Sequence, residues 1–299
     1  MLLLTVTYSR AGWCSISGMW ILHRETKLVK CVHDAAPVKV GTPVAVVEQE
    51  DELKLMETIH KVEVLTSVAT CVGLCKHVLG KKRVFVKLGA LGRIDEDLVK
   101  ACACGGVDGI VPVPKVEQKE LFGIPIVNIY EESQPHYVYV RLLDLANIKN
   151  AQGKVYGVIV EFFEKPKIST ILNIRSYVFR HLGSVDLFIA CPHLVFTHEF
   201  LKEVKDLVDG VVLTTLGNIV LISVDRFEKD VHVARCTSCR VDFISQEHVK
   251  KCPYCSERLT ELLKTPTERM FSYTARELRF ISNEFLSSYD PAKFRIEVR

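Results

Sequence analysis

Along the chain, short runs of β-branched and other apolar residues alternate with longer stretches in which apolar positions recur every three or four residues. The short runs predict strands at residues 2–8, 43–47, 84–88, 109–113, 124–129, 137–142, 155–162, 187–190, 210–214 and 219–224. Several are unbroken apolar runs, as expected of strands covered on both faces. The longer period predicts helices at 51–79, 95–103, 171–182 and 197–207. In the last, Phe200, Leu201, Val204, Leu207 and Val208 form one apolar stripe, with Lys202, Lys205 and Asp206 between them. Strands alternating with helices predict an α/β fold, a mainly parallel sheet with covering helices.

Two stretches share one pattern. Residues 84–113 and 187–214 each read strand, loop, helix, then an Asp-Gly turn feeding a second strand, at Asp108-Gly109 and Asp209-Gly210. A duplicated sheet element and the ordinary recurrence of such turns both fit. A boundary falls near Asp230, dividing an α/β domain (1–230) from a small cysteine-bearing module (231–264) and a C-terminal helix with an extended tail (265–299). Thr274-x-x-Glu277 is a capping-box pattern, followed by Leu278, Ile281 and Phe285 on one face. Asp290-Pro291 ends that helix, and Phe294, Ile296 and Val298 then alternate with charges, as in an edge strand.

Composition narrows the class. With 299 residues, 48% hydrophobic and 25% charged, the chain is neither disordered nor a small disulfide scaffold. Its net charge of +3 is localised: residues 231–299 hold 12 Lys+Arg against 9 Asp+Glu, whereas residues 1–230 hold 27 of each. Of 11 cysteines, seven (Cys14, Cys31, Cys71, Cys75, Cys102, Cys104 and Cys191) lie in apolar or helical text, which fits buried thiols in a reducing cytoplasm. Residues 1–6 read as a buried strand and not a signal peptide. Charges interrupt every long apolar run, so no membrane span is expected. Asn and Gln total only 11, a composition that leans toward a heat-adapted source.

Cys236-Thr-Ser-Cys239 and Cys252-Pro-Tyr-Cys255 stand twelve residues apart. Each Cys-x-x-Cys turn directs two thiolates at one tetrahedral Zn2+, and four cysteines leave no open coordination position, which predicts a structural metal. The stretch resembles a zinc ribbon, departing from the pattern at Ser256, where glycine is frequent. The text between the pairs suits a short hairpin.

No complete phosphate loop is present: the turn from Ser9 to Gly18 lacks the Gly-Lys-Ser/Thr ending, and Gly89-Ala90-Leu91-Gly92 is an incomplete dinucleotide fingerprint. From Val155 to Val224 the order of elements resembles the latter half of a RecA/KaiC-like ATPase core, in which Glu161 would lie near a metal-bound phosphate. Without the loop lysine, the resemblance implies an inactivated scaffold. Cys191, His193 and His198 lie at and after a predicted strand end and offer metal or thiol chemistry, but a buried Cys191 and histidines on a loop are the favoured reading.

The favoured reading is a non-catalytic, zinc-containing binding protein acting on nucleic acid or within a nucleic-acid-processing complex. Arg235, Arg240, Lys250, Lys251, Arg258, Arg276 and Arg279 would neutralise phosphates, and Tyr254, Phe271 and Tyr273 would stack on bases. The C-terminal helix and strand would be a protein contact. The second reading is an enzyme or degenerate nucleotide-binding protein whose site lies at strand ends around Gly12, Gly89, Glu161 and Cys191.

Overall fold

The structure is a computed structural model. It describes residues 1–89, 94–113, 115–129, 132–226, 232–238, 241–245, 249–252, 255–261 and 268–288. In chain order the elements are β1 (Leu2–Ser9), β2 (Trp13–Ser15), α1 (Met19–Glu25), β3 (Lys27–Cys31), β4 (Pro37–Lys39), β5 (Pro43–Glu48), α2 (Glu52–Leu79), β6 (Arg83–Gly89), α3 (Glu96–Cys104) and β7 (Gly109–Val113). Then come β8 (Glu120–Leu121), β9 (Ile124–Pro125), β10 (His136–Arg141), β11 (Val155–Glu161), α4 (Ile168–Leu182), β12 (Asp186–Cys191), α5 (His198–Val204), β13 (Gly210–Leu213) and β14 (Val220–Arg226). The remainder is β15 (His232–Cys236), β16 (Val241–Ser245), β17 (Thr260–Glu261), α6 (Glu268–Phe271) and α7 (Ala275–Ser288).

These elements form two compact units. One comprises Met1–Gly73, Lys100–Gly106 and Gly217–Arg299; the other comprises Leu74–Val99 and Val107–Leu216.

In the first unit, an antiparallel sheet in the order β14-β1-β5-β3 is backed by the N-terminal three-quarters of α2. This is the one helix long and apolar enough to cross a membrane among the described residues, yet 72% of its most apolar window is buried within the protein. Its buried hydroxyls serve neighbouring backbone. Ser67 Oγ accepts from the Ile219 and Val220 amides at 3.0 Å each, and Thr66 Oγ1 donates to the Ser17 carbonyl at 2.9 Å. Satisfied in this way, polar groups sit in the core without the desolvation cost of an unpaired one. The capping box forms as its spacing predicts: the Glu277 amide donates to Thr274 Oγ1 at 3.3 Å and the Thr274 amide to Glu277 Oε2 at 2.9 Å.

In the second unit, six strands form a parallel sheet in the order β10-β11-β12-β13-β6-β7. The sheet curls until its ends meet. Ile126 bridges Ile110 in parallel, the Val127 amide donates to the Ile110 carbonyl at 2.8 Å, and the Tyr137 amide donates to the Asn128 carbonyl at 2.8 Å. Residues 126–128 therefore fill the gap between β7 and β10. The strand expected over 124–129 is two residues of hairpin followed by this closing segment.

Closure brings strands that are not neighbours in the order face to face. Phe85 of β6 stacks on Phe188 of β12 at 4.9 Å between centroids, and Tyr137 of β10 meets both rings edge-on at 5.9 and 5.5 Å. Room for this plug comes from glycine. A Cβ on Gly210 would lie 2.3 Å from the Phe188 ring, and one on Gly109 would lie 3.2 Å from the Phe85 ring. Such an interior is a packed core and not a pore.

The two repeated stretches have matching geometry. Asp108 Oδ2 accepts from the Val84 amide at 2.8 Å and Asp209 Oδ2 accepts from the Leu187 amide at 2.9 Å. Each aspartate also faces a cation, Lys76 at 2.8 Å and Arg175 at 3.7 Å. The Asp-Gly turn thus does one job twice, pinning the start of the preceding strand. The RecA-like expectation is corrected here, because β11, β12 and β13 lie in a closed parallel ring and the last of its strands, β14, lies in the antiparallel sheet of the other unit.

Asp34, in the first unit, is 2% exposed and accepts from the Met19 amide at 3.0 Å. Burial raises its pKa from 3.8 to about 7, against the opposing pull of the Met19 and Gly18 amides and Lys100. A raised carboxyl pKa means the folded state holds a proton that the unfolded state releases, so stability falls as pH rises from about 4 to 7. Asp34→Asn does not titrate. Denaturant unfolding at pH 5 and pH 8 should show the wild type losing on the order of 3 kcal/mol more than the variant over that interval.

Candidate active site and cysteine cluster

Parallel α/β barrels place their chemistry at the C-terminal ends of the strands. Side chains alternate along a strand, so Lys87 shares the inward face of Phe85, Glu161 that of Ile159, and Tyr139 that of Tyr137. These three meet above the aromatic plug. Lys87 Nζ donates to Glu161 Oε1 at 2.8 Å and to Tyr139 Oη at 2.9 Å, and it lies 4.8 Å from the centre of the Tyr139 ring. Glu161 is 8% exposed and is paired with the ammonium beside it. A recess of about 280 Å3 is lined by His136, Val138, Tyr139, Asn147 and Asn150, and neither Lys87 nor Glu161 borders it.

Other residues at this end are more constrained. The Thr214 amide donates to the Cys191 carbonyl at 3.0 Å and the His193 amide to the Thr215 carbonyl at 3.3 Å, lacing together the turns after β12 and β13. Burial, with Glu161 adding to it, pushes the Cys191 thiol up to about 12, so it is not a thiolate nucleophile near neutrality. His193 Nδ1 lies 3.2 Å from the same Thr215 carbonyl, and no metal-holding group forms around Cys191, His193 and His198 among the described residues.

The strand-end residues anticipated from sequence divide between the units. Gly89, Glu161 and Cys191 end β6, β11 and β12, whereas Gly12 belongs to the other unit. Glu161 faces Lys87 here. Lys87 and Tyr139 were missed by the sequence reading. Lys87 is the only charge within the run Val84-Phe85-Val86-Lys87-Leu88, at an inward register, and that was the available signal.

The second cluster lies in the small sheet β16-β15-β17 of the first unit. Cys236 ends β15, which pairs antiparallel with β16, so the hairpin joins residues 232–236 to 241–245 and does not lie wholly between the two cysteine pairs as expected. The thiols of Cys236, Cys252 and Cys255 all lie within 4.8 Å of one another, with 3.5 Å between the Cys236 and Cys255 sulfurs. Cys239 and Arg240 lie outside the described residues.

No protein-family model matches the chain, and no curated protein does. Solved structures do. The nicotinate-nucleotide pyrophosphorylase of Pyrococcus furiosus aligns over 99% of this chain and 90% of its own, with a TM-score of 0.71 at 18% identity. Human nicotinic acid phosphoribosyltransferase aligns over 98% and 91%, with a TM-score of 0.56 at 11% identity. The chain has the fold of these phosphoribosyltransferases.

That likeness overturns the reading of a non-catalytic nucleic-acid binder, and with it the RecA-like and nucleic-acid assignments. Local geometry agrees. Phe271, assigned to base stacking, lies flat on His23 at 4.1 Å and 12°, and Tyr273 lies against His33 at 5.4 Å. Arg235, Lys250, Lys251, Arg258 and Arg276 are exposed and Arg279 is half-buried. Tyr254 lies outside the described residues.

Removing one member of a buried ion pair strands the other. Lys87→Met should lower unfolding stability by about 3 kcal/mol, and Lys87→Met combined with Glu161→Gln should regain most of that loss. Denaturant unfolding of the two variants beside the wild type measures both effects.

Proposed function

We propose that the protein is a cytoplasmic phosphoribosyltransferase-type enzyme that makes or breaks the N-glycosidic bond between a pyridine carboxylate and a phosphoribosyl group. The observation that carries this reading is the Lys87–Glu161 pair at the C-terminal mouth of a barrel sharing its fold with two enzymes named for that chemistry. In the forward direction, the pyridine nitrogen lone pair attacks C1 of 5-phosphoribosyl 1-pyrophosphate. The C1–N bond forms, the C1–O bond breaks, and its electrons leave with pyrophosphate. Pyridine nitrogen carries no proton, so no general base is required. What the reaction requires is charge control, because C1 becomes cationic as the leaving group departs. Glu161 provides a preorganised negative group for that charge and for ribose hydroxyls. Lys87 provides a compact cation for the carboxylate or phosphate groups of the reactants.

The test is to incubate the full chain with nicotinate, 5-phosphoribosyl 1-pyrophosphate and Mg2+ and follow nicotinate mononucleotide by chromatography, with nicotinamide and quinolinate in parallel. Turnover is expected with a pyridine carboxylate, and Glu161→Gln should lower kcat/KM by about 100-fold, the scale of losing one electrostatic stabiliser. Absence of product with all three pyridines, and of any thermal shift with the same ligands, would overturn the reading.

We also infer that Cys236, Cys239, Cys252 and Cys255 hold a structural Zn2+. Supporting this are the doubled Cys-x-x-Cys spacing and the gathered thiols, since sulfurs about 2.3 Å from a tetrahedral ion stand roughly 3.8 Å apart. The metal would link β15 to the turn at Cys252, and it has no place in the transfer chemistry. Purified protein should contain one zinc per chain, and Cys252→Ser should lose it and lower Tm. A folded, metal-free wild type with four reactive thiols in this module would refute the inference.

A further inference from the structure

The recess beside β10 has no part in the chemistry above. It opens between β10, the loop leading into that strand and the 3-10 helix Leu142–Asn150 that follows it, and its volume is about 280 Å3. That helix belongs to the crossover joining β10 to its parallel neighbour β11, so it lies over the outer side of the ring. Backbone contacts fix the walls. The His136 amide donates to the Lys154 carbonyl at 3.1 Å, and Gly153, with a φ of 73°, approaches so closely that a Cβ there would stand 2.3 Å from the Glu132 carbonyl oxygen. Into this space Glu132, His136, Asn147 and Asn150 bring polar side chains. His136 is 4% exposed, and its Nδ1 lies 3.0 Å from the Gln134 carbonyl. A carbonyl only accepts, so Nδ1 carries the hydrogen and, in the neutral ring, Nε2 is left as an acceptor. Among the described residues, His136 Nε2, the Glu132 carboxylate and the Asn147 and Asn150 carboxamides have no protein partner. A buried acceptor in that state costs free energy until something in the recess supplies a donor.

We propose that this recess is a binding site for a neutral, amino-bearing nitrogen heterocycle of nucleobase size. His136 Nε2 and the Glu132 carboxylate can only accept, so the occupant must bring N–H donors of its own. Each carboxamide can pair with an adjacent donor and acceptor on a ring edge, as Asn and Gln do with adenine. No lysine or arginine lines the recess and a carboxylate does, so a ligand carrying phosphate or carboxylate would enter against the charge. Ile129, Val138 and Tyr139 supply apolar surface for a flat ring to pack on. The volume is just below the usual range for drug-sized ligands, which suits one ring system and is too small for a dinucleotide. A protonated amine would also satisfy the acceptors, but it would leave the donors of both carboxamides unused. The site does not rest on the glycosyl-transfer reading, although Tyr139 is common to both places, bordering the recess and holding Lys87 through its hydroxyl.

The test is isothermal titration calorimetry of the full chain with adenine, cytosine and guanosine, and with orotate and spermidine beside them. At least one of the first three should bind with a Kd below about 1 mM. The matching ring without its amino group (hypoxanthine, uracil or inosine) should bind about 10-fold more weakly, because an acceptor in the site then stays unpaired. Orotate, an anion, should give no heat of binding. Asn147→Leu and Asn150→Leu lie at exposed positions, so circular dichroism should be unchanged while each weakens the base by about 10-fold. Glu161→Gln should leave the Kd of the base within about twofold, since that carboxylate does not border the recess. The proposal is overturned if none of the three bases binds, if removing the amino group makes no difference, or if spermidine binds more tightly than the bases. It is equally overturned by a Kd that follows Glu161→Gln and ignores both asparagine variants, which would put the base at the barrel mouth.

Discussion

Closure of the parallel sheet in the second unit is the constraint from which its other features follow. Six strands and the segment 126–128 enclose an interior that must be filled to the density of a protein core. Phe85, Phe188 and Tyr137 fill it, and Phe188 fits because β13 begins with Gly210. A plugged barrel has no channel, so chemistry belongs at an end. At the end where the strands finish, the inward register brings up a lysine, a tyrosine and a glutamate in place of another apolar layer. Three polar side chains at that depth are costly unless they satisfy each other, and they do. The same arrangement that stabilises the mouth concentrates charge where a ligand can reach it.

Most of the strands and helices were legible in the chain because apolar periodicity is a local property. The predicted strand at 109–113 coincides with β7, and that at 155–162 overshoots β11 by one residue. Closure was not legible, since a strand-helix-strand sequence reads identically whether the sheet stays open or rolls up. What separates the two is contact between strands far apart in the chain, as when Arg83 donates to Tyr137 Oη at 2.5 Å. The RecA-like resemblance failed on this point. Lys87 was legible in principle: a lone charge in an apolar strand marks either an edge or a functional mouth.

The C-terminal charge excess shows why composition is a weak guide to function. Residues 231–299 are more basic than the rest, but their aromatic side chains are not all on offer to a ligand. Phe271 and Tyr273 pack against His23 and His33, so the C-terminal segment belongs to the same unit as the first strands. A chain that leaves a unit to build a barrel and then returns places distant text in one core, and no window along the sequence reveals it. The cysteine module was legible because its signal is spacing within twenty residues, and three of its thiols are gathered as that spacing implies.

The two buried carboxylates illustrate how partner geometry decides the state of a charge. Asp34 is held by backbone amides, with Lys100 acting only through its field, so in the folded protein a proton becomes its most available counter-charge near neutrality. Glu161 has the Lys87 ammonium at 2.8 Å. A carboxylate stabilised by a proton is silent toward a cation, whereas one stabilised by a lysine is still an anion and can exchange partners when a ligand brings its own charges. That difference makes the barrel mouth, and not the Asp34 site, the place where this fold can answer a charge that a ligand brings.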